Sequence, residues 1–258
     1  MCPPDYFEVA YEINPWMSVE RLVDRKRAEA QWRAYYELLS GPLDAQVELL
    51  APAPGLPDLV FTANAGLVRE RIFVRSHFRF KERRGEEAHF EKWFKSRGYR
   101  VKTLDLPFCF EGEGDALSMG EELYTGYHFR SDLEAHEQAA GILRSDYFAL
   151  ELCDKRFYHL DTCFAPIDSQ SALVFFPAFE SCSQMILWET VPDPIRVSEE
   201  EALRFACNAV VAGQNVVLPS GCPNVSKELE KRGYAVYALD FSEFIKAGGA
   251  AKCLVLKL

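Results

Sequence analysis

A helix followed by a short strand recurs along this chain, and this recurrence restricts its fold more than any other feature. Apolar residues have helical spacing near residues 86–98, 132–144, 199–212 and 224–233, and a strand-like run follows each segment. The repeating units share no sequence identity. An alternation of this kind predicts an α/β domain, but periodicity does not distinguish an open doubly wound sheet from a radial arrangement of small sheets.

A longer amphipathic helix is predicted ahead of the first unit. The segment VERLVDRKRAEAQWRAYYELLSG carries its apolar residues at helical spacing and ends on a glycine. The proline-rich APAPGLPD after it is short, and we interpret it as a turn rather than a domain boundary. Apolar or alternating runs predict strands at QVELLAP, LVFTANAGLV, RIFVRS, RVKTLDL, ELYTGY, YFALELCD, FYHLDTCFAPI, SALVFFP, QNVVLPSG, AVYALDFSEF and the terminal KCLVLKL.

The composition indicates a folded protein with a surplus of acids. Of its 258 residues, 48% are apolar and 13% aromatic, which is enough to bury a large core. The formal net charge is −10, and acids interrupt the densest cationic run, FKERRGEE. Nucleic-acid binders usually carry a basic patch, so we expect no nucleic-acid partner. An acidic protein can attract a small cationic substrate, although net charge alone is weak support for one.

Neither a membrane span nor a metal framework is predicted. No apolar run approaches the roughly 18 residues of a membrane helix, and MCPPDYFEVAYEINPW lacks a basic segment followed by an apolar core. We therefore expect a cytoplasmic protein with no membrane partner. The eight cysteines form no CxxC pair, so we expect no structural zinc and no disulfide framework, and we expect no cofactor.

Polar residues gather at four places where strand-like runs end, which is where loops on a rigid scaffold expose functional groups. Three carboxylates spaced by glycines crowd one turn in FEGEGDAL, and alternate residues of a strand in YHLDTCF should share a face. The small residues of AGGAA before the last cysteine would let backbone and substrate approach closely. The polar residues are Asp58 and Asn64, then Glu111, Glu113 and Asp115, then His159 and Asp161, and finally Cys253.

These residues can be explained singly or together. Singly, the Asn and Asp residues are ordinary turn formers, and Cys253 is a core thiol. Together, a cysteine, a histidine and several carboxylates are the parts of a nucleophilic site in which histidine is acid and base. Clustered acids suit a guanidinium, whose fork of donors matches paired carboxylates. The main rival is a metal-dependent hydrolase whose ligands would be Glu111, Glu113, Asp115, His159 and Asp161.

Four motifs, PDLVFTANAG, FEGEGDAL, FYHLDTCFAP and AGGAAKCLVLKL, resemble in order and spacing those of the guanidino-group-modifying superfamily. This superfamily includes arginine deiminases, dimethylarginine dimethylaminohydrolases and amidinotransferases, and the chain is most similar to its arginine dihydrolase branch. The similarity runs from EINPWM to the last residue. It implies one catalytic domain over residues 1–258, folded as a five-bladed α/β-propeller (pentein) of ββαβ units around a pseudo-fivefold axis, with the active site at the centre.

The resemblance implies a role for the residues of three motifs. Cys253 would be the nucleophile and His159 the general acid and base. Glu111 and Asp161 would grip the guanidinium of the substrate. Deiminases typically carry E-G-G-D where this chain has EGEGD, which is one residue longer. Either glutamate could therefore be the clamp, and family spacing favours Glu111 over Glu113.

Further substrate contacts are implied at Asn14, and at Arg83 and Arg130 for the α-carboxylate. Asn64 stands where deiminases commonly have an aspartate. The ureido oxygen of citrulline is an acceptor, so an aspartate facing it would leave two acceptors opposed, whereas an asparagine can offer an N–H. Asn64 therefore predicts a second hydrolysis at the same carbon, which yields ornithine, carbon dioxide and a second ammonia.

Several alternatives stay open from the sequence. A dimethylarginine dimethylaminohydrolase that releases dimethylamine, or an arginine deiminase that stops at citrulline, would use the same residues. A protein of another class, a non-catalytic arginine sensor, could share the scaffold. The sequence allows a homo-oligomer without determining the oligomeric state.

Overall fold

The fold contains four three-stranded sheets of the same topology, and the computed structural model describes all 258 residues. In each sheet two strands form an antiparallel hairpin, and a helix leads to a third strand parallel to the second. The strands are Gly66–Arg69 (β1), Ile72–Arg75 (β2), Arg100–Lys102 (β3), Ala116–Met119 (β4), Glu122–Tyr127 (β5), Tyr147–Glu151 (β6), Phe164–Pro166 (β7), Ser171–Val174 (β8), Asp193–Arg196 (β9), Val210–Ala212 (β10), Asn215–Pro219 (β11) and Ala235–Leu239 (β12). The helices are Arg25–Ser40 (α1), Glu86–Ser96 (α2), Leu133–Leu143 (α3), Ser181–Thr190 (α4), Glu199–Ala202 (α5), Pro223–Lys231 (α6) and Ser242–Ile245 (α7).

The sequence of each unit explains its topology. A tight turn cannot join parallel strands, so a crossover helix connects the second strand of each sheet to the third. These helices cover the sheets with one apolar face. Helix α6, for example, buries Val225 and Leu229 and exposes Lys227 and Lys231. The middle strands lie deepest, and all four residues of β8 are buried.

A ring of five turns lies where the units meet. The chain turns just before the first strand of each sheet, and a fifth turn lies near residue 253. A hydrogen bond joins each turn to the next, which closes a circle and confirms the predicted five-bladed α/β-propeller. The five links are Asn64 Nδ2 to Glu111 O (3.4 Å), Leu160 N to Asp115 Oδ1 (3.1 Å), Asn208 Nδ2 to Asp161 O (3.1 Å), Cys253 N to Asn208 Oδ1 (3.2 Å) and Ala63 N to Cys253 O (3.1 Å).

Both ends of the chain form the fifth unit, which has no assigned strand. Helix α1 begins after Asp24, whose side chain caps its first turn. Its Tyr35 is fully buried and packs edge-on against Phe241. Phe7 of the N-terminal segment stacks on Phe244 of α7, with ring centroids 4.9 Å apart. The two chain ends therefore share one apolar core.

Two predicted strands of this fifth unit are wrong. In QVELLAP, Leu50 N donates to Met1 O at 2.9 Å, but no ladder with a neighbouring strand follows. KCLVLKL begins as a turn rather than a strand, because Leu254 N donates back to Ala250 O at 3.3 Å. Cys253 therefore lies on a turn at the centre of the molecule.

Other local predictions are corrected as well. The helix expected over 199–212 ends at Ala202, because Phe205 adopts a left-handed φ of 63° and β10 pairs with β11. LVFTANAGLV is mostly two 3-10 turns, Pro57–Val60 and Thr62–Ala65, and becomes a strand only at its end. Helix α4 and strand β9 were not predicted. None of the helices combines the length and the apolar character that a membrane span requires.

Candidate active site

The ring of turns brings five of the predicted site residues to the centre of the propeller. Three of the side chains come from three different turns, and the other two, His159 and Asp161, come from a fourth. No single unit therefore contains the whole site. All five are at most 2% exposed, so water is largely excluded from their surroundings. They are Asn64, Glu111, His159, Asp161 and Cys253.

Glu111 and His159 form the first half of the site. His159 Nε2 lies 2.8 Å from Glu111 Oε2, and Arg130 Nη1 donates to the same oxygen at 2.9 Å. Burial alone would raise the pKa of Glu111, but the charge of Arg130 and the hydrogen bond with His159 outweigh it. They hold the pKa of Glu111 well below its usual range. Glu111 is therefore an ionised carboxylate in a dry pocket.

Cys253 and Asp161 form the second half of the site. The Cys253 thiol donates to Asp161 Oδ2 with a sulfur-to-oxygen distance of 3.2 Å. Burial raises the pKa of Asp161 to about 6, against the opposing charge of Lys252. Burial and then the negative Asp161 raise the pKa of the Cys253 thiol well above its ordinary value. The thiol therefore requires a nearby cation before it becomes a strong nucleophile.

Two polar atoms of the site are buried without a hydrogen-bond partner. They are Asp161 Oδ1 and His159 Nδ1. A buried carboxylate oxygen without a donor costs free energy, and such atoms are concentrated at functional sites. A ligand with N–H donors would satisfy Asp161 Oδ1 directly.

Asn64 is held in one orientation by a buried arginine. Arg83 Nη1 donates to Asn64 Oδ1 at 2.8 Å, while the same guanidinium forms a bidentate pair with Glu86 at 2.9 and 2.8 Å. Because an arginine can only donate, the amide oxygen must face Arg83. The Asn64 N–H2 group then faces the turn that carries Glu111.

Gly114 lets Asn64 and His159 approach the same turn. A Cβ added at Gly114 would lie 2.4 Å from Asn64 Nδ2 and 3.2 Å from His159 Cγ and Nδ1. Any larger residue at this position would push one of these groups away. The Asn64 amide and the His159 ring therefore flank the same glycine.

The two glutamates of EGEGD lie on different sides of their turn. Glu111 joins His159, whereas Glu113 Oε2 accepts from Lys252 Nζ at 2.7 Å and from Lys257 N at 3.3 Å. Glu113 lines a separate cavity with Ser118 and other residues. The geometry therefore favours Glu111 over Glu113 as the guanidinium clamp. No group of three or more His, Cys, Asp or Glu side chains has the arrangement of a metal site.

The other predicted substrate contacts are Arg83, Arg130 and Asn14, whose side chains already bond to other protein groups. Arg130 is buried between the rings of Phe80 and Tyr158, at 4.8 and 4.6 Å from their centroids, and donates to Ile13 O. Asn14 Nδ2 donates to Ala247 O at 3.0 Å. Arg83 and Arg130 are both buried. Their contact with the α-carboxylate of the substrate stays a prediction.

The local structure of two motifs differs from its prediction. YHLDTCF is a 3-10 turn over Leu160–Thr162 rather than a strand, and His159 and Asp161 do not share a face. They project to different partners, Glu111 and Cys253. In AGGAA, Gly248 has a φ of +84°, and a Cβ there would lie 2.9 Å from the side chain of Asn14 and from the Tyr158 hydroxyl. The small residues serve this tight turn.

Asn208 is a site residue that the sequence analysis missed. It is fully buried, and its Nδ2 lies 3.1 Å from Cys253 Sγ. It fell inside a segment interpreted as a helix. The signal that could have found it is its position, because Asn208 lies two residues before β10, just as Asn64 lies two residues before β1.

Comparison with known proteins assigns the chain to a family. The family model described as "N,N dimethylarginine dimethylhydrolase, eukaryotic" matches residues 10–258. The bifunctional arginine dihydrolase/ornithine cyclodeaminase ArgZ of Synechocystis sp. is 42% identical over 263 residues, which cover 100% of this chain and 37% of that protein. The N(G),N(G)-dimethylarginine dimethylaminohydrolase of Mycobacterium tuberculosis is also 42% identical, and 84% of its length is covered.

A solved structure agrees with the sequence comparison. The crystal structure of the N-terminal domain of ArgZ bound to product, described as an arginine dihydrolase from the ornithine-ammonia cycle in cyanobacteria, superposes with a TM-score of 0.95 at 42% identity. The match covers 99% of this chain and 95% of that one. The chain spans 37% of the length of the two bifunctional cyanobacterial relatives. From these matches, the chain belongs to the N,N dimethylarginine dimethylhydrolase family.

Proposed function

We propose that this chain hydrolyses the guanidino group of free arginine in two successive steps, giving ornithine, carbon dioxide and two molecules of ammonia. Cys253 is the nucleophile, and His159 is the general acid and base. Glu111 and Asp161 hold the guanidinium, and Asn64 allows the second step. The relatives described as arginine dihydrolases support this choice of substrate.

One observation carries the proposal: the Cys253 thiol lies 3.2 Å from a buried carboxylate whose second oxygen, Asp161 Oδ1, has no donor. A guanidinium supplies N–H donors in a plane and a positive charge beside the sulfur. Its charge compensates the effect of Asp161 and favours the thiolate. The same cation would also be attracted to the ionised Glu111. The site therefore becomes reactive when this kind of substrate binds.

The first hydrolysis follows from this placement. The thiolate attacks the guanidinium carbon, and a C–N bond breaks as His159 protonates the departing ammonia. A thiouronium intermediate remains on Cys253. His159 then takes a proton from water, whose oxygen adds to the same carbon, and the C–S bond breaks to leave bound citrulline. Glu111 and Asp161 keep the reacting carbon against the sulfur throughout.

The second hydrolysis depends on the orientation of Asn64. Arg83 holds the amide oxygen away, so the Asn64 N–H2 group can donate to the ureido oxygen of citrulline. Citrulline then stays bound for a second attack by Cys253 at the same carbon, and a second ammonia leaves. Water then adds to this carbon and the C–S bond breaks, which leaves the carbamate of ornithine. Its C–N bond breaks to release carbon dioxide and ornithine. In total, one arginine and two waters give one ornithine, one carbon dioxide and two ammonia.

Product analysis tests the proposal. Purified protein is incubated with arginine, and citrulline, ornithine and ammonia are measured over time. We expect two ammonia for each ornithine, with little free citrulline. Citrulline as the sole end product would contradict the second step, and arginine that binds without turnover would indicate a sensor.

A second candidate is the hydrolysis of dimethylarginine with release of dimethylamine. The family model and the 42% identity to the M. tuberculosis dimethylaminohydrolase favour it. It requires the same nucleophile and clamp but a leaving-group pocket that admits two methyl groups. Competition between arginine and dimethylarginine at equal concentration separates the two. Faster release of dimethylamine than of ammonia would select this second function.

A further inference from the structure

Both polar atoms of the Asn208 side chain make contacts at or beside Cys253. Its Nδ2 donates to Asp161 O at 3.1 Å and lies 3.1 Å from Cys253 Sγ. Its Oδ1 accepts from Ala250 N at 3.1 Å and from Cys253 N at 3.2 Å. A fully buried amide with all its polar atoms engaged is strongly fixed in position.

The chemistry of these partners determines which way the amide faces. Two backbone N–H groups, of Ala250 and Cys253, can only donate, so they require the amide oxygen. The Asp161 carbonyl can only accept, so it requires the amide nitrogen. The second hydrogen of Asn208 Nδ2 is thereby directed at the sulfur.

We propose that Asn208 is a further catalytic residue, whose side-chain N–H donates to the sulfur of Cys253 and stabilises the thiolate that attacks the substrate. In the resting thiol, the S–H donates to Asp161 and the Asn208 N–H meets a weak acceptor. When the proton leaves, the sulfur becomes an anion and the same N–H becomes a charge-assisted donor. The interaction is therefore stronger in the reactive form than in the resting form. The inference rests on the proposed role of Cys253 as the nucleophile.

Few other groups around the sulfur favour its ionisation. Asp161 opposes it, and Tyr35 and Tyr158 stay neutral because burial raises their pKa well above the ordinary value. Lys252 directly precedes Cys253 in the sequence, but its ammonium pairs with Glu113. Burial and Asp161 raise the pKa of Cys253, while the Ala250 N–H and the Asn208 amide lower it. Asn208 is thus a neutral side-chain donor in a setting that otherwise disfavours the thiolate.

The pH dependence of Cys253 alkylation tests this role without substrate. Wild type, Asn208→Asp and Asn208→Ala react with iodoacetamide across a range of pH, and peptide mass spectrometry reads the modified fraction at Cys253. Losing a hydrogen bond to a charged group should shift the midpoint upward by about one to two pH units. Alkylation at neutral pH should then slow by about 10- to 100-fold.

Asn215→Asp is the matched control, because Asn215 makes a single side-chain bond to Ala212 O in the β10–β11 hairpin of the same unit. Its alkylation midpoint should equal that of wild type. Near-ultraviolet circular dichroism shows which Asn208 variants keep the fold; Asn208→Ala removes the donor without adding a charge. An Asn208 variant that melts at a lower temperature but keeps the wild-type midpoint would show a purely structural role and overturn the proposal.

The outcome separates this inference from the proposed function. If wild type fails to hydrolyse arginine but the Asn208 variants shift the midpoint, the donor role stands and the proposed substrate is wrong. If wild type hydrolyses arginine and the midpoint does not move, the donor role alone is wrong.

Discussion

In the proposed reaction, Asn64 is the residue that decides how many times the same carbon is attacked. Its oxygen is held by Arg83 and one N–H donates to Glu111 O, so its second N–H can meet an acceptor. We expect Asn64→Asp to turn the enzyme toward citrulline, because a carboxylate would oppose the ureido oxygen in a dry pocket. The ratio of ornithine to citrulline should fall about 5- to 150-fold, since an unsatisfied buried acceptor costs about 1–3 kcal/mol.

Chromatography of the products at early and late times measures this ratio. Asn215→Asp makes the same chemical change on a hairpin outside the site and should leave the products unaltered. An Asn64→Asp protein that still yields ornithine as its main product would remove Asn64 from the second step.

Asp161 makes the stability of the protein depend on pH with a definite sign. Burial raises its pKa from 3.8 to about 6, so the folded protein retains a proton that the unfolded chain releases. The stability cost of this raised pKa is absent below about pH 4 and complete above about pH 6, where it reaches about 3 kcal/mol. Asp161→Asn replaces the titrating carboxyl with an amide that does not ionise. Its free energy of unfolding relative to wild type should therefore increase as the pH rises from 4 to 7.

Urea unfolding of both proteins at several pH values measures this difference. Asp168→Asn is the control of opposite sign, because hydrogen bonds from Tyr234 and from the 170–171 backbone outweigh burial and lower the pKa of Asp168. The free energy of unfolding of Asp168→Asn relative to wild type should fall as the pH rises. A pH-independent difference for Asp161→Asn would mean that the pKa of Asp161 is not raised.

At the scale of elements, the turn over Gly112–Gly114 directs Glu111 to His159 and Glu113 to Lys252. Glu111→Gln removes the ionised clamp, and we expect kcat/KM for arginine, counted per folded protein, to fall at least about a hundredfold. It also breaks a buried ion pair with Arg130, which should cost about 3–5 kcal/mol of unfolding free energy. Glu113→Gln breaks a buried ion pair with Lys252, which should cost about 3–5 kcal/mol of unfolding free energy. The folded fraction of Glu113→Gln should still turn over arginine.

Steady-state kinetics and urea unfolding of the two variants separate catalysis from stability. The two substitutions make the same chemical change two residues apart, so each serves as the control for the other. If the folded Glu113→Gln protein were inactive and the folded Glu111→Gln protein kept its kcat/KM, the assignment of the clamp would be reversed.

The elements that the sequence predicted are those whose residues follow one period. Helices α2, α3 and α6 each have a clear apolar face, and strands β2, β5, β8 and β11 are apolar runs between turns. The elements it did not predict lack such a pattern. Helix α4 exposes Met185 and Trp188 among its polar residues, and the segment after α5 turns at Phe205 although its composition is helical.

The site turns were harder to predict than the elements they join. His159 and Asp161 alternate as strand residues do, but hydrogen bonds from Thr162 N to His159 O and from Cys163 N to Leu160 O fold them into a 3-10 turn. The residues themselves were identified through the motif resemblance. Asn208 was not identified, because the segment that contains it was interpreted as a helix, which hid its position two residues before β10.

At the scale of the whole molecule, the closed ring explains why the site residues are so far apart in sequence. Four of the five turns are each supported by a sheet, and the last link joins residues near 63 to residues near 253. Thr62 Oγ1 also donates to Leu254 O at 2.9 Å across this closure. A ring of this kind cannot lose one unit without opening the site.

We propose on this basis that residues 1–258 form one domain. The tryptophans lie in different parts of the ring, with Trp16 and Trp32 in the chain ends, Trp93 in the first unit and Trp188 in the third. Urea unfolding followed by tryptophan fluorescence and by far-ultraviolet circular dichroism should therefore give coincident single transitions. Two separated transitions would divide the chain into independent domains.

The central claim is that the Cys253 sulfur attacks the arginine carbon, and a comparison of wild type with Cys253→Ala tests it most directly. Ornithine and ammonia are measured together with arginine binding by calorimetry, and Cys163→Ala, at a buried thiol two residues beyond Asp161, is the matched control. We predict that wild type and Cys163→Ala release two ammonia per ornithine, while Cys253→Ala binds arginine but releases neither product. Turnover by Cys253→Ala within about tenfold of wild type, a barrier change of only about 1.4 kcal/mol, would contradict the account.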